Sequence, residues 1–499
     1  MSGRCTVRRR GSTLPEIAVP FIASLLLLAG CAVGPRYSRP AASVPPAYKE
    51  EPPGWKTAQP NDQITRGKWW EIFGDPQLNS FEEQINISNQ SLKAAFAQFE
   101  QARALVTFNR ANYYPTVTTG VSASRNRQSQ NRGLATSLSK TNFSDLVLPV
   151  SVSYEADVFG RLRRTVEAAR SSAQASAGDL ESLSLSLHAE LAADYFQLRT
   201  FDAEERLLND TVAAFEKALQ LTQNRYRGGV ASAVDVAQAQ TQLETTRSQA
   251  IDLQVQRSQL EHAIAVLLGQ PASSFSIAAA PWATPPPAIP PGLPSDLLER
   301  RPDIAAAERR ASAANAQMGV ARAAYFPLFT LSGSGGFESS SITNWFNGPS
   351  GFVSAGASAV VTAFDVGRRR AVSEQARAAY DQTVANYRET VLTAFQEVED
   401  NLAALRILEN EATTQDAAVN AAQHSLGLST NRYKGGVVSY LEVITAQSIA
   451  LSDERAAVDI LRRRMIASVQ LIKALGGGWT SANLPSVKLD VHPPQANGQ

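Results

Sequence analysis

Residues 224–240 read NRYRGGVASAVDVAQAQ, and residues 431–447 read NRYKGGVVSYLEVITAQ. Asn-Arg-Tyr, a basic residue, Gly-Gly-Val, an acidic-Val pair and Ala-Gln recur in one order, 207 positions apart from Gly228 to Gly435. Each copy lies between proline-free, helix-patterned stretches, so Gly-Gly marks a tight reversal between two helices. The chain writes one helix–turn–helix twice.

The echo extends outward from these turns. ANYYP ends at Pro115 and AAYFP at Pro327; DVFGRLRR starts at Asp157, and FDVGRRR starts at Phe364. A period of about 210 residues is too long for a solenoid of short units and indicates a duplicated domain. Proline ends the helix before it and pushes its predecessor toward extended geometry. Alternation follows, with Val117, Thr119, Val121 and Ala123 on one face, then Leu148, Val150, Val152, Tyr154, Ala156 and Val158. The second half repeats it with Phe329, Leu331, Gly333, Gly335 and Phe337, then Val353, Ala355, Ala357, Ala359, Val361 and Ala363. Runs of about 10 residues suit tilted membrane-spanning strands. A soluble hairpin packed on a core would show the same pattern.

Between the Gly-Arg elements and the Gly-Gly turns the period changes. Tyr380, Val384, Tyr387, Val391, Phe395, Val398, Leu402 and Leu405 alternate spacings of three and four, continuing through Ala412, Val419, Ala422 and Leu426 to Tyr433. The first half matches with Leu183, Leu187, Leu191, Tyr195, Leu198, Leu208, Val212, Phe215, Leu219 and Tyr226. This is a coiled-coil seam on helices of about 66 residues, or ~100 Å at 1.5 Å per residue. If the four strands lie in lipid, one chain cannot close them into a barrel, so copies must assemble. Two copies give a barrel filled by side chains; three give twelve strands and a lumen.

Composition narrows the function. In 499 residues, 44 % are hydrophobic, which supplies a large core, and 47 basic against 46 acidic side chains give no reason to expect nucleic acid. Phosphate-binding glycine loops, nucleophile elbows and zinc-protease motifs do not occur, so an enzyme is not expected. No metal site or cofactor is expected either. The four histidines, His188, His262, His424 and His492, are far apart and read as partly exposed helix or tail residues. Both cysteines, Cys5 and Cys31, fall at the start. A basic stretch, an apolar run too short to span a bilayer and then Leu-Ala-Gly-Cys form a signal peptide over residues 1–30. Its end resembles the bacterial lipobox, which implies diacylation and N-acylation of Cys31; an ordinary signal with an incidental cysteine is the alternative. The proline-rich residues after Cys31 are expected to lie extended on a surface rather than pack in a core.

Together, CAVGPRYSRP, WWEIFGDPQL, the two aromatic-Pro strand starts, ERRPDI and the paired RY(R/K)GGV turns resemble the TolC-type outer-membrane efflux family. The likeness is closest to its lipoprotein (NodT-like) branch and covers nearly all of the mature chain. It implies an α+β membrane protein: a homotrimer with a β-barrel of four strands per subunit, twelve in total, continuous with a periplasmic α-helical barrel. It implies a lipid-anchored outer-membrane channel that conducts drugs or other small molecules passively, working with a periplasmic adaptor and an inner-membrane pump of the resistance–nodulation–division type.

The expected plan is an extended segment at 31–68, repeat 1 at 69–280, a proline-rich linker or belt at 281–296, repeat 2 at 297–475 and a tail at 476–499. Within the repeats, hairpins fall at about 116–158 and 328–364, long helices at about 161–227 and 368–434, and tips at 228–233 and 435–440. The resemblance places adaptor contacts at Gly228, Gly229, Val230 and Ser232, and at Gly435, Gly436, Val437 and Ser439. It places the periplasmic gate at Asp235 and Glu442, the latter in a cation-favouring acidic ring, and at Tyr226 and Tyr433 as latches. For each tyrosine, the last seam residue before a turn is an equal reading. A type I outlet for polypeptides and a lipid-tethered coiled-coil scaffold without a pore are the rival functions.

Overall fold

The structure, a computed structural model, describes residues 33–50, 67–127, 129, 142–280, 284–289 and 296–484. The signal peptide and Cys31 lie outside the described residues, as do most of the 281–296 linker and the end of the tail. The chain divides into two compact units: residues 1–39, 102–173 and 309–384 form one, and residues 40–101, 174–308 and 385–499 the other.

The motif WWEIFGDPQL shows how locally the fold is written. Trp69–Phe73 form a 3₁₀ turn, Gly74 takes a left-handed φ of 65°, and the Asp75 carboxylate accepts the N–H groups of Gln77 and Leu78. Asp75 thereby caps α1 (Pro76–Ser88), with proline at the first helical position, where its missing N–H costs nothing. Helix α2 (Gln90–Ala111) runs to the Tyr-Tyr-Pro stop.

The first unit holds an antiparallel sheet of β1 (Thr116–Thr119), β2 (Ser122–Arg127), β3 (Asn142–Ala156), β4 (Leu328–Ser339) and β5 (Gly351–Val360). β1 and β2 both pair with β3 and share one register. The sequence alternation suggested one unbroken strand there; the ladder instead lapses at Gly120–Val121. The cause is Pro149, whose carbonyl lies toward Thr119 and which has no N–H to give on that side. β3 pairs with β4 and β4 with β5, leaving the outer sides of β1/β2 and of β5 as edges without a partner among the described residues.

Register sorts the two faces. Val117 stands opposite Val152, Val152 opposite Gly333 and Gly333 opposite Ala355; Tyr154, Leu331 and Ala357 form another row, as do Ala156, Phe329 and Ala359. Directly paired residues share a face, so the alternating apolar residues named in the sequence fall on one side, while Val147, Leu328, Phe352 and Val360 fall on the other. The alternate rows, such as Thr116–Ser153–Ser332–Gly356 and Thr118–Ser151–Ser334–Ser354, are hydroxyl-rich. At Gly336 any side chain would collide with the Leu148 carbonyl across the ladder.

Two 67-residue helices leave the sheet: α3 (Arg161–Arg227), and, in the second half, α7 (Arg368–Lys434). Each starts on an aspartate. Asp157 accepts the N–H groups of Leu162 and Arg163, and Asp365 those of Gly367 and Arg369. The second connection is one residue shorter, lacking a counterpart of Phe159, and Val366 sits at φ 53°, a left-handed conformation costly for a β-branched residue. The helices return as α4 (Ala233–Leu267) and α8 (Tyr440–Ala474), and α5 (Leu297–Arg300) and α6 (Pro302–Ala323) open the second repeat. Every seam residue named above except Tyr226 is buried or half-buried.

The second unit has its main core where Trp69, Trp70, Phe73, Tyr195, Phe196, Tyr387, Val391 and Phe395 meet. Two sequence readings are corrected here. Tyr48, from the proline-rich segment, is buried in this core with Ala42 and Val44 against it, so that stretch does pack. His188 is also buried, with Nδ1 2.5 Å from a Glu82 carboxylate oxygen, Nε2 3.2 Å from Asn86 Oδ1, and Trp70 stacked at 4.6 Å.

The duplication is visible in closures. α4 ends at Gly269, where a Cβ would strike the Ser88 carbonyl; α8 ends at Gly476, where it would strike the Arg300 carbonyl. Beside them, the Asn89 side-chain amide donates to the Leu267 carbonyl at 2.8 Å, and Arg301 donates to the Ala474 carbonyl at 3.1 Å. Arg301 also makes a two-pronged pair with Asp303 and a bond of 2.6 Å to Glu397, which explains the ERRPDI motif.

Candidate functional site

Both helical tips are built by the same hydrogen bonds. At the first, Gly229 N–H donates to the Tyr226 carbonyl and Val230 N–H to the Arg225 carbonyl, each at 2.9 Å; at the second, Gly436 donates to Tyr433 and Val437 to Arg432 at 2.9 and 3.0 Å. These are Schellman closures, which satisfy the last carbonyls of a helix and need a left-handed residue after it. Gly229 and Gly436 supply it, at φ 73° and 75°. Gly228 and Gly435 have ordinary φ, and a Cβ on either would make only van der Waals contact. The turns push Val230 and Val437 into the open, 68 % and 69 % exposed.

The side chains around the closures differ. Ser232 accepts the Asp235 N–H, and the Asp235 carboxylate takes the Ser232 N–H at 2.8 Å, a reciprocal box that starts α4. Among the described residues Ser439 makes no such side-chain bond, and Glu442, in the place of Asp235, turns to Arg432 at 2.9 Å and to Ser429 Oγ at 3.4 Å. Both acids expected at a gate are thus engaged within their own hairpins. Asp235 holds a helix cap, and Glu442 pairs with Arg432.

The tyrosines separate as well. Tyr433 is 4 % exposed and Tyr226 is 50 % exposed, so Tyr226 is not a buried end of the seam. The Tyr433 hydroxyl donates to Thr222 Oγ1 at 3.3 Å, joining α7 to α3. Arg225 lies over the Tyr433 ring at 4.7 Å and donates to the Lys434 carbonyl at 3.1 Å. Tyr440 closes the cluster at 5.2 Å from Tyr433. One contact set at Tyr433, Thr222 and Arg225 therefore ties the two tips together. Thr222 and Arg225 were not singled out in sequence; the signal for Arg225 was its place in the repeated motif.

Comparison with known proteins places this geometry. The model of the family described as outer membrane efflux protein matches twice, over residues 83–270 and 293–477. The chain belongs to the outer membrane efflux protein family. Outer membrane protein OprJ of Pseudomonas aeruginosa is 33 % identical over 469 residues, spanning 93 % of this chain and 96 % of that protein. The probable efflux pump outer membrane protein TtgC of Pseudomonas putida is 33 % identical over 458 residues, spanning 91 % and 94 %. The solved outer-membrane channel OprN superposes with a TM-score of 0.83 at 31 % identity, covering 90 % of this chain and all of that one.

The protein is thus an outer-membrane channel of an efflux pump, with the fold of the solved channels it matches, an antiparallel β-domain and long helices. It is a family of channels rather than enzymes. The two family matches fall one in each half, and each contains one Gly-Gly tip.

Proposed function

We propose that three copies of this chain close a twelve-stranded barrel, the β1/β2 edge of each meeting the β5 edge of the next. The observation that carries this is the sheet, with one continuous apolar face, one hydroxyl-rich face and two open edges. An open edge is not tolerated in hydrocarbon. Apolar rows turned outward meet lipid, and Ser/Thr rows turned inward line a wet lumen. Conduction through it is passive.

In this reading the six Gly-Gly tips of the trimer receive a periplasmic adaptor, with Val230 and Val437 as exposed apolar contacts and Gly229 and Gly436 admitting close backbone approach. The contacts of Tyr433 with Thr222 and Arg225 hold the entrance closed, and adaptor docking shifts that two-state element toward open. An inner-membrane pump, of the resistance–nodulation–division type in the branch it resembles, supplies the cargo. Cys31, acylated, anchors each subunit. The test is the protein mass in detergent after extraction from the outer-membrane fraction, by light scattering with detergent subtracted. A trimer is expected; a monomer, or protein soluble without detergent, refutes the shared barrel.

A further inference from the structure

The residues that follow Cys31 are fastened to the β-domain unit at several points. Val33 N–H donates to the Phe159 carbonyl at 3.1 Å. Gly34, at φ 118°, lies so close to Gly319 of α6 that a Cβ would come within 2.6 Å of its Cα. The Pro35 carbonyl accepts from Arg164 at 3.1 Å and from Asn315 at 3.2 Å. This clamp explains the Val-Gly-Pro of the CAVGPRYSRP motif, and it holds Val33, two residues after Cys31 in sequence, at Phe159.

Phe159 also forms the wall of a cavity of about 270 Å³ where the strands give way to the helices, lined by Ala156, Ala323, Phe326, Pro327 and Phe329 among others. Its ring stacks on Phe326 at 4.6 Å and lies 6.3 Å from Phe329. The charges at its rim are spent on one another: Arg161 pairs with Glu155 at 2.6 and 2.8 Å, and Asp157 caps α3. At about 30 Å³ per water-sized group, a cavity of about 270 Å³ has room for about nine such groups, the bulk of part of an acyl chain. Ala156 and Phe329 belong to the apolar face of the sheet. Phe159 is moreover the residue that repeat 1 has and repeat 2 lacks, DVFG against DVG. The extra residue is the one that takes the hydrogen bond from the N-terminal segment and supplies the aromatic wall.

We propose that an acyl chain carried by Cys31 lies in this cleft against Phe159, Phe326 and Phe329, so that the lipid docks on its own subunit at the sheet–helix junction. The proposal rests on the reading of Cys31 as acylated, and the experiment separates the two. The full-length protein is produced in cells fed a diazirine-bearing fatty acid, irradiated in membranes and digested. A cross-link joining the N-terminal peptide, through its lipid, to the peptide carrying Phe159 or Phe326 is expected, falling several-fold in Phe326→Ser at equal acylation. Phospholipid would leave a lipid adduct with no second peptide. If intact mass shows Cys31 acylated and its chains cross-link only to phospholipid, the cleft proposal is overturned and the lipoprotein reading stands. If the mass shows no acyl group, both fall.

Discussion

Removing Arg225 tests whether the tip contacts are a gate. Arg225→Ala deletes the bond to the Lys434 carbonyl, 3.1 Å, and the guanidinium over the Tyr433 ring, 4.7 Å. A partly exposed hydrogen bond contributes about 1 kcal/mol net and a cation–π contact at such a site about 0.5–1 kcal/mol. About 2 kcal/mol per subunit corresponds to a roughly 30-fold shift of the equilibrium between tied and released tips, since ~1.4 kcal/mol is tenfold. Tyr433→Phe, which removes only the 3.3 Å bond to Thr222, should shift it less, by roughly 2- to 10-fold. Because both changes act on one contact set, the double variant should fall short of the product of the singles. The assay is single-channel conductance in planar bilayers, with sensitivity of cells to bulky antibiotics as a second readout. Arg227→Ala is the control, because Arg227 bonds Asn224 on its own helix at 2.6 Å. Conductance of Arg225→Ala unchanged from the parent, in intact trimers, would refute the gate.

Ala at Gly229 and Gly436 together should cost about 1–2 kcal/mol at each tip and abolish export while leaving trimers in the membrane, whereas Gly435→Ala should export normally; minimum inhibitory concentrations of exported drugs check both. Arg301→Ala strands Asp303, Glu397 and the Ala474 carbonyl and should cost about 3–5 kcal/mol, against about 1–2 for Asn89→Ala, measured as thermal unfolding in detergent. Burial pushes the Glu82 carboxyl well above its usual range and holds His188 down to about 4, so the folded pair keeps one proton, while the unfolded chain holds two below about 4.5 and none above about 6.5. Stability from the pair is therefore greatest between those values, falling on the alkaline side by about 1.4 kcal/mol per pH unit until Glu82 ionises; Glu82→Leu with His188→Phe should flatten melting temperature against pH.

What the sequence disclosed follows from how local each signal is. A helix lacking proline for 67 residues, with apolar residues at spacings of three and four, declares its length and its buried stripe. Gly-Gly before Val declares the turn, because one backbone position there needs a left-handed φ. Strand alternation showed the apolar face, but not the lapse at Gly120–Val121, which is set by Pro149 some thirty residues on. Partners chosen in space were invisible. His188 looked like an exposed helix residue because Glu82 and Trp70 are more than a hundred positions away. Tyr226 and Tyr433 occupy one motif position, and only packing makes the second the buried one. The acids at 235 and 442 differ by a single methylene. The shorter reaches back to its own cap, and the longer meets Arg432.

These differences bear on why a duplicated chain keeps two unlike halves. The demands on the backbone are identical in both, since each long helix must start on an aspartate, end in a Schellman turn and return to a glycine that no side chain could replace. Those features are retained in both copies. Side-chain partners carry no such constraint, and there the copies part: Asn89 against Arg301, Asp235 against Glu442, Arg225 on a tyrosine ring against Arg432 on a carboxylate. Tyr433, Thr222 and Arg225 join the two tips of one subunit, although Arg and Tyr stand at the same motif positions in both copies; Arg432 is drawn instead to Glu442, and Tyr226 is left exposed. On the gating proposed above, one hairpin is held by the other through that single contact set, and its release frees both.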